Sequence, residues 1–250
     1  MKEEDDYTHF GNERIKISDK KYRVNNVFKS VSSKYDLMND IMSLGVHRIW
    51  KTSMLDWMSP KKGHNLLDVA GGTGDIAFRF VKKTSFKSNA VVLDLTENMM
   101  SEGLKRSKRN NFGKNIDWVC GDAMSLPFAT NSFDFYSIAF GIRNVTDIKI
   151  ALKEAFRVLK PGGRIMILEF STIPNKALQE YYDLYSFKII PKLGELITKD
   201  KKSYEYLVES IRKFPDQETF SEIIKNCGFQ QVKYRNLSLG ISALHSGWKV

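Results

Sequence analysis

Residues Asn65–Asp75 read Asn-Leu-Leu-Asp-Val-Ala-Gly-Gly-Thr-Gly-Asp, and this stretch organises the chain. It opens with the short, mostly apolar run Leu66–Val69, which glycines bound on both sides and which is typical of a buried parallel strand. The glycine cluster turns the chain sharply and lets a ligand approach the backbone. The next residues, Asp75–Val81, carry apolar side chains at helical spacing. A strand, a glycine turn and a helix N-terminus form the nucleotide-binding end of a doubly wound sheet.

The residues around the glycines favour a ligand that has no phosphate. Gly72, Gly74 and Ala77 fit the pattern G-x-G-x-x-A, which is weak evidence alone, and no Gly-Lys-Ser/Thr follows as it would in an NTP-binding loop. Asp68 and Asp75 flank the loop, where they would repel a pyrophosphate and attract a cation. Asp75 could simply stabilise the helix dipole, but that leaves Asp68 unexplained. S-adenosylmethionine, with its ammonium and sulfonium, suits this loop.

Later strands place acidic side chains at the same end of the predicted sheet. Ala90–Leu93 is apolar and ends in Asp94, about 20 residues past the glycines, where an acid can bind ribose hydroxyls. Asn115–Cys120 is followed by Asp122, which can accept a hydrogen bond from an adenine amino group. The remaining units are a strand at Ser132–Phe140, a helix at 150–159, a turn at 160–163 and a strand at Arg164–Phe170.

Length and composition indicate one globular domain of 250 residues, 42% of them hydrophobic. The formal net charge of +10 favours nucleic acid or an anionic membrane surface as a partner. The basic residues are scattered, however, and the densest cluster, Lys105–Arg109, is better explained as a solvated helix face. We therefore expect no nucleic-acid partner, while contact with a membrane surface stays open.

Cysteine, histidine and targeting patterns bear on location. Cys120 and Cys227 are far apart and the four histidines are dispersed, which suits a reducing compartment and gives no metal-ligand spacing. No apolar run approaches the length of a membrane span, and the acidic start Met1–Asp6 is unlike a signal or transit peptide. We expect a cytoplasmic protein without a metal, with peripheral contact at the inner face of the membrane and a homodimer both left open.

The rest of the chain divides into regions around the core at 63–172. Residues 1–62 predict a polar arm up to Ile17 and a helical cap, and 173–215 predict a helical insertion after the fifth strand. The insertion has an aromatic-rich helix at Lys176–Ile190, ended by Pro191, whose stripe fits either core packing or a lipid-lined pocket wall. Residues 216–250 predict a helix and two closing strands, at Val232–Leu239 and Ser242–Lys249.

Several motifs closely resemble the UbiE/menG family of ubiquinone and menaquinone C-methyltransferases, over the chain from about Thr8 to its end. The glycine loop is common to many methyltransferases, whereas the others are more specific. The matching motifs are Thr8-His9-Phe10-Gly11, Lys34–Asp40 (Lys-Tyr-Asp-Leu-Met-Asn-Asp), Leu67–Asp75, Phe140–Val145 (Phe-Gly-Ile-Arg-Asn-Val), Pro215-Asp216-Gln217 and Ala243–Gly247.

This resemblance implies an α/β class I methyltransferase fold, Rossmann-like, with a seven-stranded, mostly parallel sheet and a reversed edge strand. It implies methyl transfer from S-adenosylmethionine to a ring carbon of a polyprenyl hydroquinone, and other quinone-biosynthesis enzymes as partners. Ala139 stands where the family usually has serine, so one hydroxyl contact is missing. The predicted cofactor-binding residues are Asp68, Gly72, Thr73, Gly74, Asp94, Asp122, Ala123 and Ala139.

The chemistry predicts which residues act on the substrate. A ring carbon is a poor nucleophile until its hydroxyl ionises, and a nearby positive group lowers the pKa of that hydroxyl. Arg143 follows the fourth strand and could serve, although a surface salt bridge is the plain alternative. Asn144 could bind the same oxygen and Tyr35 could orient the ring. The base stays open among His47, His245 and a water held by Arg143.

Rival functions remain at this point. The positive charge favours an RNA methyltransferase, but no basic stripe is interleaved with stacking aromatics. A non-catalytic S-adenosylmethionine-binding scaffold of a quinone-biosynthesis complex conflicts with the intact Arg143 and Asn144. A hydride-transfer enzyme fits least, since Asp75 would repel a pyrophosphate and no Tyr-x-x-x-Lys pair is present.

Overall fold

The computed structural model describes residues 7–31, 35–43, 45–198 and 200–250. The described chain opens with an antiparallel hairpin of β1 (Tyr7–Phe10) and β2 (Glu13–Lys16). Within the predicted polar arm, residues 7–16 thus form a paired hairpin with Gly11 (φ 57°) in its turn and Ile15 buried. Three helices follow: α1 (Ile17–Val31), α2 (Tyr35–Ser43) and α3 (His47–Met58).

A seven-stranded sheet forms the centre of the molecule. Its strands are β3 (Asn65–Val69), β4 (Asn89–Asp94), β5 (Ile116–Cys120), β6 (Phe133–Ala139), β7 (Leu159–Phe170), β8 (Gln230–Leu237) and β9 (Ser242–Trp248). Their order is β5-β4-β3-β6-β7-β9-β8. The first five strands run parallel, and β9 runs antiparallel to both of its neighbours, β7 and the outermost strand β8. The predicted mostly parallel sheet is confirmed, and its reversed strand, β9, lies next to the edge strand β8.

Apolar layers cover both faces of the sheet. The core helices are α4 (Asp75–Lys83), α5 (Glu97–Arg109), α6 (Ile148–Val158) and α10 (Gln217–Asn226). Successive residues of β3 point to opposite faces, so Leu66 packs with α3 and α4 while Leu67 packs with α6 and α10. The strand order reverses between β3 and β6: β4 and β5 are added on one side of β3, and β6 and β7 on the other. A crevice therefore opens at the carboxyl ends of these strands, where ligands bind in sheets of this kind.

The insertion after β7 is mostly helical in its described residues. It comprises α7 (Lys176–Leu184), a π-helical turn at Tyr185–Ile189, α8 (Ile190–Thr198) and α9 (Lys201–Lys213). The prediction that Pro191 ends a helix is wrong: α7, the π-helical turn and α8 follow one another without a break, and the proline lies just after the π-helical turn. Tyr185 joins the insertion to the amino-terminal cap by donating to the Ile41 carbonyl over 2.8 Å. None of the described helices combines the length and the apolar character that crossing a membrane requires.

Candidate active site

A cleft lies at the carboxyl ends of the parallel strands, beneath α1. It encloses about 810 Å³ of non-protein space, part of it open to solvent. Helix α1 contributes four side chains to its wall, among them Val24 and Phe28. Five of the predicted site residues line the same cleft: Gly72, Asp94, Asp122, Ala123 and Asn144. Residues from separate strands thus meet where the sheet topology opens the crevice.

A hydrogen bond between the glycine loop and Asp94 holds both in position. Gly72 adopts a φ of 55°, and its N–H donates to Asp94 Oδ2 over 2.9 Å. Thr96 N–H donates to the other oxygen, Oδ1, over 2.8 Å. The Thr96 hydroxyl and the Leu95 N–H also hydrogen-bond this carboxylate, which lines the cleft. Burial raises the pKa of Asp94, and these backbone donors oppose that shift by favouring the ionised form.

Asp122 joins the floor of the cleft to α1. Its Oδ2 lies 2.9 Å from Lys21 Nζ, and its Oδ1 accepts from Met124 N–H over 3.0 Å. Lys20 Nζ donates to the Val145 carbonyl over 3.1 Å, on the far wall. Sequence reasoning missed both lysines, although Lys21 shares helical spacing with the apolar Val24. Two adjacent lysines therefore hold α1 over the cleft.

The two aspartates that flank the loop do not line the cleft. Asp68 is buried under the loop and accepts from Ser137 Oγ over 2.7 Å, and burial raises its pKa to about 7. Burial also opposes the charge of Asp75, but Lys51 and Arg79 outweigh it and lower the pKa to about 2. Lys51 Nζ lies 2.9 Å from Asp75 Oδ2. The cations that Asp75 attracts are thus these two side chains, a pairing that sequence reasoning missed.

Three further predicted cofactor residues lie outside the lining. Thr73 Oγ1 accepts from Arg106 over 3.1 Å, and a Cβ at Gly74 (φ 80°) would lie 2.6 Å from the Trp118 ring. Ala139 is partly buried against the apolar core. These residues shape the loop and strand from behind the cleft.

Arg143 does not line the cleft either. Its side chain is 2% exposed and its Nη1 lies 2.8 Å from Glu169 Oε1 and donates to the Phe140 carbonyl over 2.7 Å. Its Nε donates to Ser210 Oγ on α9 over 3.2 Å. A buried ion pair, rather than a surface one, therefore engages Nη1 of Arg143, and these contacts hold the side chain outside the cleft lining. Sequence reasoning missed Glu169, although a single charged residue within the apolar end of β7 indicates a buried ion pair.

Asn144 is the predicted catalytic residue that does reach the cleft. Its Oδ1 accepts from the Tyr206 hydroxyl over 2.8 Å, and its buried Nδ2 has no hydrogen-bond partner within the described chain. Burial raises the pKa of Tyr206 well above its usual range. Tyr35 begins α2, but its side chain lies outside the described residues. Asn144 thus belongs to the cleft wall and carries a buried amide donor without a partner among the described residues.

Both histidines considered as bases lie away from the cleft lining. His47 Nε2 is 2.9 Å from Asp40 Oδ1, and burial, helped by Lys51, lowers its pKa. His245 Nε2 donates to the Gln217 carbonyl over 3.1 Å, and burial lowers its pKa to about 4. Each is a neutral, buried side chain that ties two elements together.

The residues of the cleft fit S-adenosylmethionine. Two carboxylates, Asp94 and Asp122, can accept from ribose and adenine and can attract a cationic ligand. Apolar side chains such as Met99 and Phe140 offer contact surface for a nucleoside. In the described part of the chain no group of three or more His, Cys, Asp and Glu side chains could hold a metal ion. Fold and cleft together define the class of protein: a class I S-adenosylmethionine-dependent methyltransferase.

Comparisons with known proteins identify the family within this class. The ubiE/COQ5 methyltransferase family matches residues 15–249, and the chain belongs to this family. The chain is 59% identical to the ubiquinone/menaquinone biosynthesis C-methyltransferase UbiE of Roseobacter denitrificans, with 97% of each chain covered. It is 48% identical to the mitochondrial 2-methoxy-6-polyprenyl-1,4-benzoquinol methylase of Dictyostelium discoideum, over 97% of this chain and 86% of that protein.

Solved structures support the fold. An S-adenosylmethionine-dependent methyltransferase of Methanococcus maripaludis, itself described as putative, superposes with a TM-score of 0.62 at 18% identity, covering 88% of this chain and 92% of that one. The [4+2]-cyclase SpnF also reaches a TM-score of 0.62, at 16% identity, over 80% and 79% of the two chains. Because the same fold serves a cyclase, the site and the family, rather than the fold, identify the activity.

Proposed function

We propose that this protein transfers the methyl group of S-adenosylmethionine to a ring carbon of a polyprenyl hydroquinone in ubiquinone or menaquinone biosynthesis. The candidate substrates are 2-methoxy-6-polyprenyl-1,4-benzoquinol and demethylmenaquinol. The observation that carries the proposal is the 59% identity to a C-methyltransferase of this kind over 97% of both chains. The cleft supports it, because Asp94, Asp122 and Asn144 meet there.

Two carboxylates bind the methyl donor in this proposal. Asp94, which lines the cleft beside the Gly72 and Thr96 donors, accepts from the ribose hydroxyls. Asp122 accepts from the adenine amino group, with Ala123 beside it. Bound S-adenosylmethionine supplies an electrophilic methyl group on sulfur. Thr73, Gly74, Asp68 and Ala139 hold the loop and strand in shape, since none of them lines the cleft.

Asn144 acts on the quinol in this proposal. Its Nδ2–H donates to the quinol oxygen, and a hydrogen bond to the ionised form favours ionisation of that hydroxyl. By raising the fraction of the quinol in its ionised form, whose ring carbon attacks the methyl group, this bond raises the rate. Arg143 positions the 142–144 turn through Glu169 and the Phe140 carbonyl instead of touching the substrate.

Turnover by the purified protein tests the proposal. We would supply methyl-labelled S-adenosylmethionine with short-tailed demethyl benzoquinol, demethyl naphthoquinol or bulk RNA in parallel reactions. Label should enter at least one quinol and not RNA. Label in RNA and in neither quinol would instead favour an RNA methyltransferase, and label in none would favour a non-catalytic scaffold. Identifying the quinone that accumulates unmethylated after gene deletion then separates the two quinol substrates.

We also propose contact with an anionic membrane surface through the insertion, because the substrate's polyprenyl tail is a lipid. Exposed apolar side chains support this, with Tyr181 at 74% and Leu196 at 81% exposure. Exposed Lys188 and Lys192 lie in the same segment and complement anionic headgroups. Leu196→Asp should weaken cosedimentation with anionic vesicles, whereas Ile150→Asp, an exposed site on α6, should not. Equal binding of both variants would contradict this surface.

A further inference from the structure

We propose that Tyr206 is a positioning residue that orients the carboxamide of Asn144, and that the amino-terminal hairpin holds Tyr206 in place through Phe10. This inference rests on the proposed function of Asn144 at the quinol oxygen. It concerns a tyrosine in the insertion and a motif near the start of the chain, neither of which lines the cleft.

The hydrogen bond fixes which way the amide faces. The Tyr206 hydroxyl is 2.8 Å from Asn144 Oδ1, and the structure gives that hydroxyl no other acceptor among the described residues. Burial keeps its pKa well above the usual range, so the hydroxyl stays protonated and donates. A donating hydroxyl requires the carboxamide oxygen opposite it. Nδ2 is then turned away from Tyr206.

The amide nitrogen is left ready for a ligand. Asn144 Nδ2 is buried and has no partner within the described chain, and Asn144 belongs to the cleft wall. A buried donor without a partner destabilises the protein, and an acceptor oxygen on a ligand would relieve that cost. Asn144 Nδ2 therefore has a hydrogen bond still to make, and the bond from Tyr206 to Oδ1 keeps the amide in this orientation.

The hairpin packs directly on this tyrosine. The Phe10 and Tyr206 rings stack with centroids 4.1 Å apart and planes within 16°. In the same turn of the hairpin, Asn12 N–H donates to Glu209 Oε2 over 3.0 Å, and a Cβ at Gly11 would overlap Glu209. The Thr8–Gly11 motif thus has a structural role: it packs against α9 and holds Tyr206 within hydrogen-bond distance of Asn144.

Tyr206→Phe tests the inference, with Tyr204→Phe as a matched loss of a buried hydroxyl from the same helix. Tyr206→Phe should lower kcat for the quinol roughly 10-fold while the Kd for S-adenosylmethionine stays within about twofold. Tyr204→Phe should change kcat by less than about twofold. Phe10→Ala should reproduce the kcat loss in milder form. Equal kcat for Tyr206→Phe and wild type would overturn the inference.

A second readout does not depend on quinol turnover. Asparagine side-chain NH₂ resonances in the full chain can be followed by NMR, with the Asn144 pair assigned by its absence from Asn144→Ser. Tyr206→Phe should shift or broaden this pair, and Tyr204→Phe should not. Unchanged Asn144 resonances would overturn the positioning role. Perturbed resonances in a wild-type protein inactive on quinols would support the positioning and refute the proposed function.

Discussion

The carboxylates near the glycine loop differ in their surroundings. Burial raises the pKa of Asp94, and the N–H groups of Gly72, Leu95 and Thr96, with the Thr96 hydroxyl, oppose that shift. Asp68 is more deeply buried, and burial raises its pKa to about 7 against the donors Ser137 and the backbone of Ala77. Asp75 lies between Lys51 and Arg79 and stays ionised. The aspartates thus divide into one that faces the ligand and two that build the loop.

Asp94→Ala should weaken binding of S-adenosylmethionine, because charge-assisted hydrogen bonds to the ribose are lost. Such a bond contributes about 1.5–3 kcal/mol, which corresponds to roughly 10- to 150-fold in Kd. Calorimetry measures this directly. The control is Asp117→Ala, an exposed carboxylate on the neighbouring strand β5. Equal affinity of the Asp94 variant and the control would refute the assignment.

Asp68→Asn should change how stability depends on pH. The folded pKa of Asp68 is raised from 3.8 to about 7, so its neutral form favours the fold below pH 3.8 and this stabilisation is lost as pH rises through 7. The amide cannot ionise, so the variant's free energy of unfolding should rise relative to wild type between about pH 4 and pH 7. Urea titrations of both proteins across that window measure the difference. A pH-independent difference would contradict the raised pKa.

At the level of elements, the 142–144 turn depends on β7 and α9. The Arg143–Glu169 pair is buried on both sides, and Ser210 on α9 adds a third contact. Removing one partner of such a pair leaves an uncompensated buried charge. The turn that carries Asn144 is therefore held by the buried ion pair of Arg143 and Glu169, in which each charge compensates the other.

A double-mutant cycle on this pair should be strongly non-additive. Glu169→Gln and Arg143→Met should each lower the free energy of unfolding by about 3–5 kcal/mol, because the remaining charge loses its partner. The double variant should lose far less than the sum. Lys105→Met, which breaks an exposed pair with Glu102, should cost under about 1 kcal/mol. Additive losses in urea unfolding would show that the two side chains do not interact.

The sequence predicts the parallel strands and their order along the chain because each is a short apolar run with a turn signal. It also predicts which strand ends carry Asp94 and Asp122, since those ends meet at one edge of the sheet. Side-chain partners 24 or more positions apart, such as Lys51 with Asp75, leave no local pattern. For the same reason the sequence does not predict that Arg143 is buried, since its partner Glu169 lies 26 positions away and only the fold brings the two together.

Across the whole molecule, regions outside the core sheet complete the cleft. Helix α1 covers it through Lys20 and Lys21, and α9 reaches Asn144 from the insertion. The hairpin links these parts, since β1 packs on α9 through Phe10. Ligand binding should therefore stabilise more of the chain than the glycine loop.

Saturating S-adenosylmethionine should stabilise the protein as a whole and slow exchange in α1. At a free concentration 100 times the Kd, the free energy of unfolding should rise by about 2.7 kcal/mol. Backbone hydrogen exchange should slow in Ile17–Val31 as well as in the glycine loop, while the outer strand β8 serves as the control. Protection confined to the glycine loop would contradict the covering role of α1.

The proposed reaction forms a bond between the methyl carbon and a ring carbon of the quinol. The most direct test supplies S-adenosylmethionine labelled with ¹³C in its methyl group and a reduced, short-tailed demethyl quinol, and records the product by carbon NMR. We predict one labelled methyl group bonded to a ring carbon, with S-adenosylhomocysteine formed in equal amount. Label on a quinol oxygen, or no labelled quinol while S-adenosylmethionine is bound, would contradict the account.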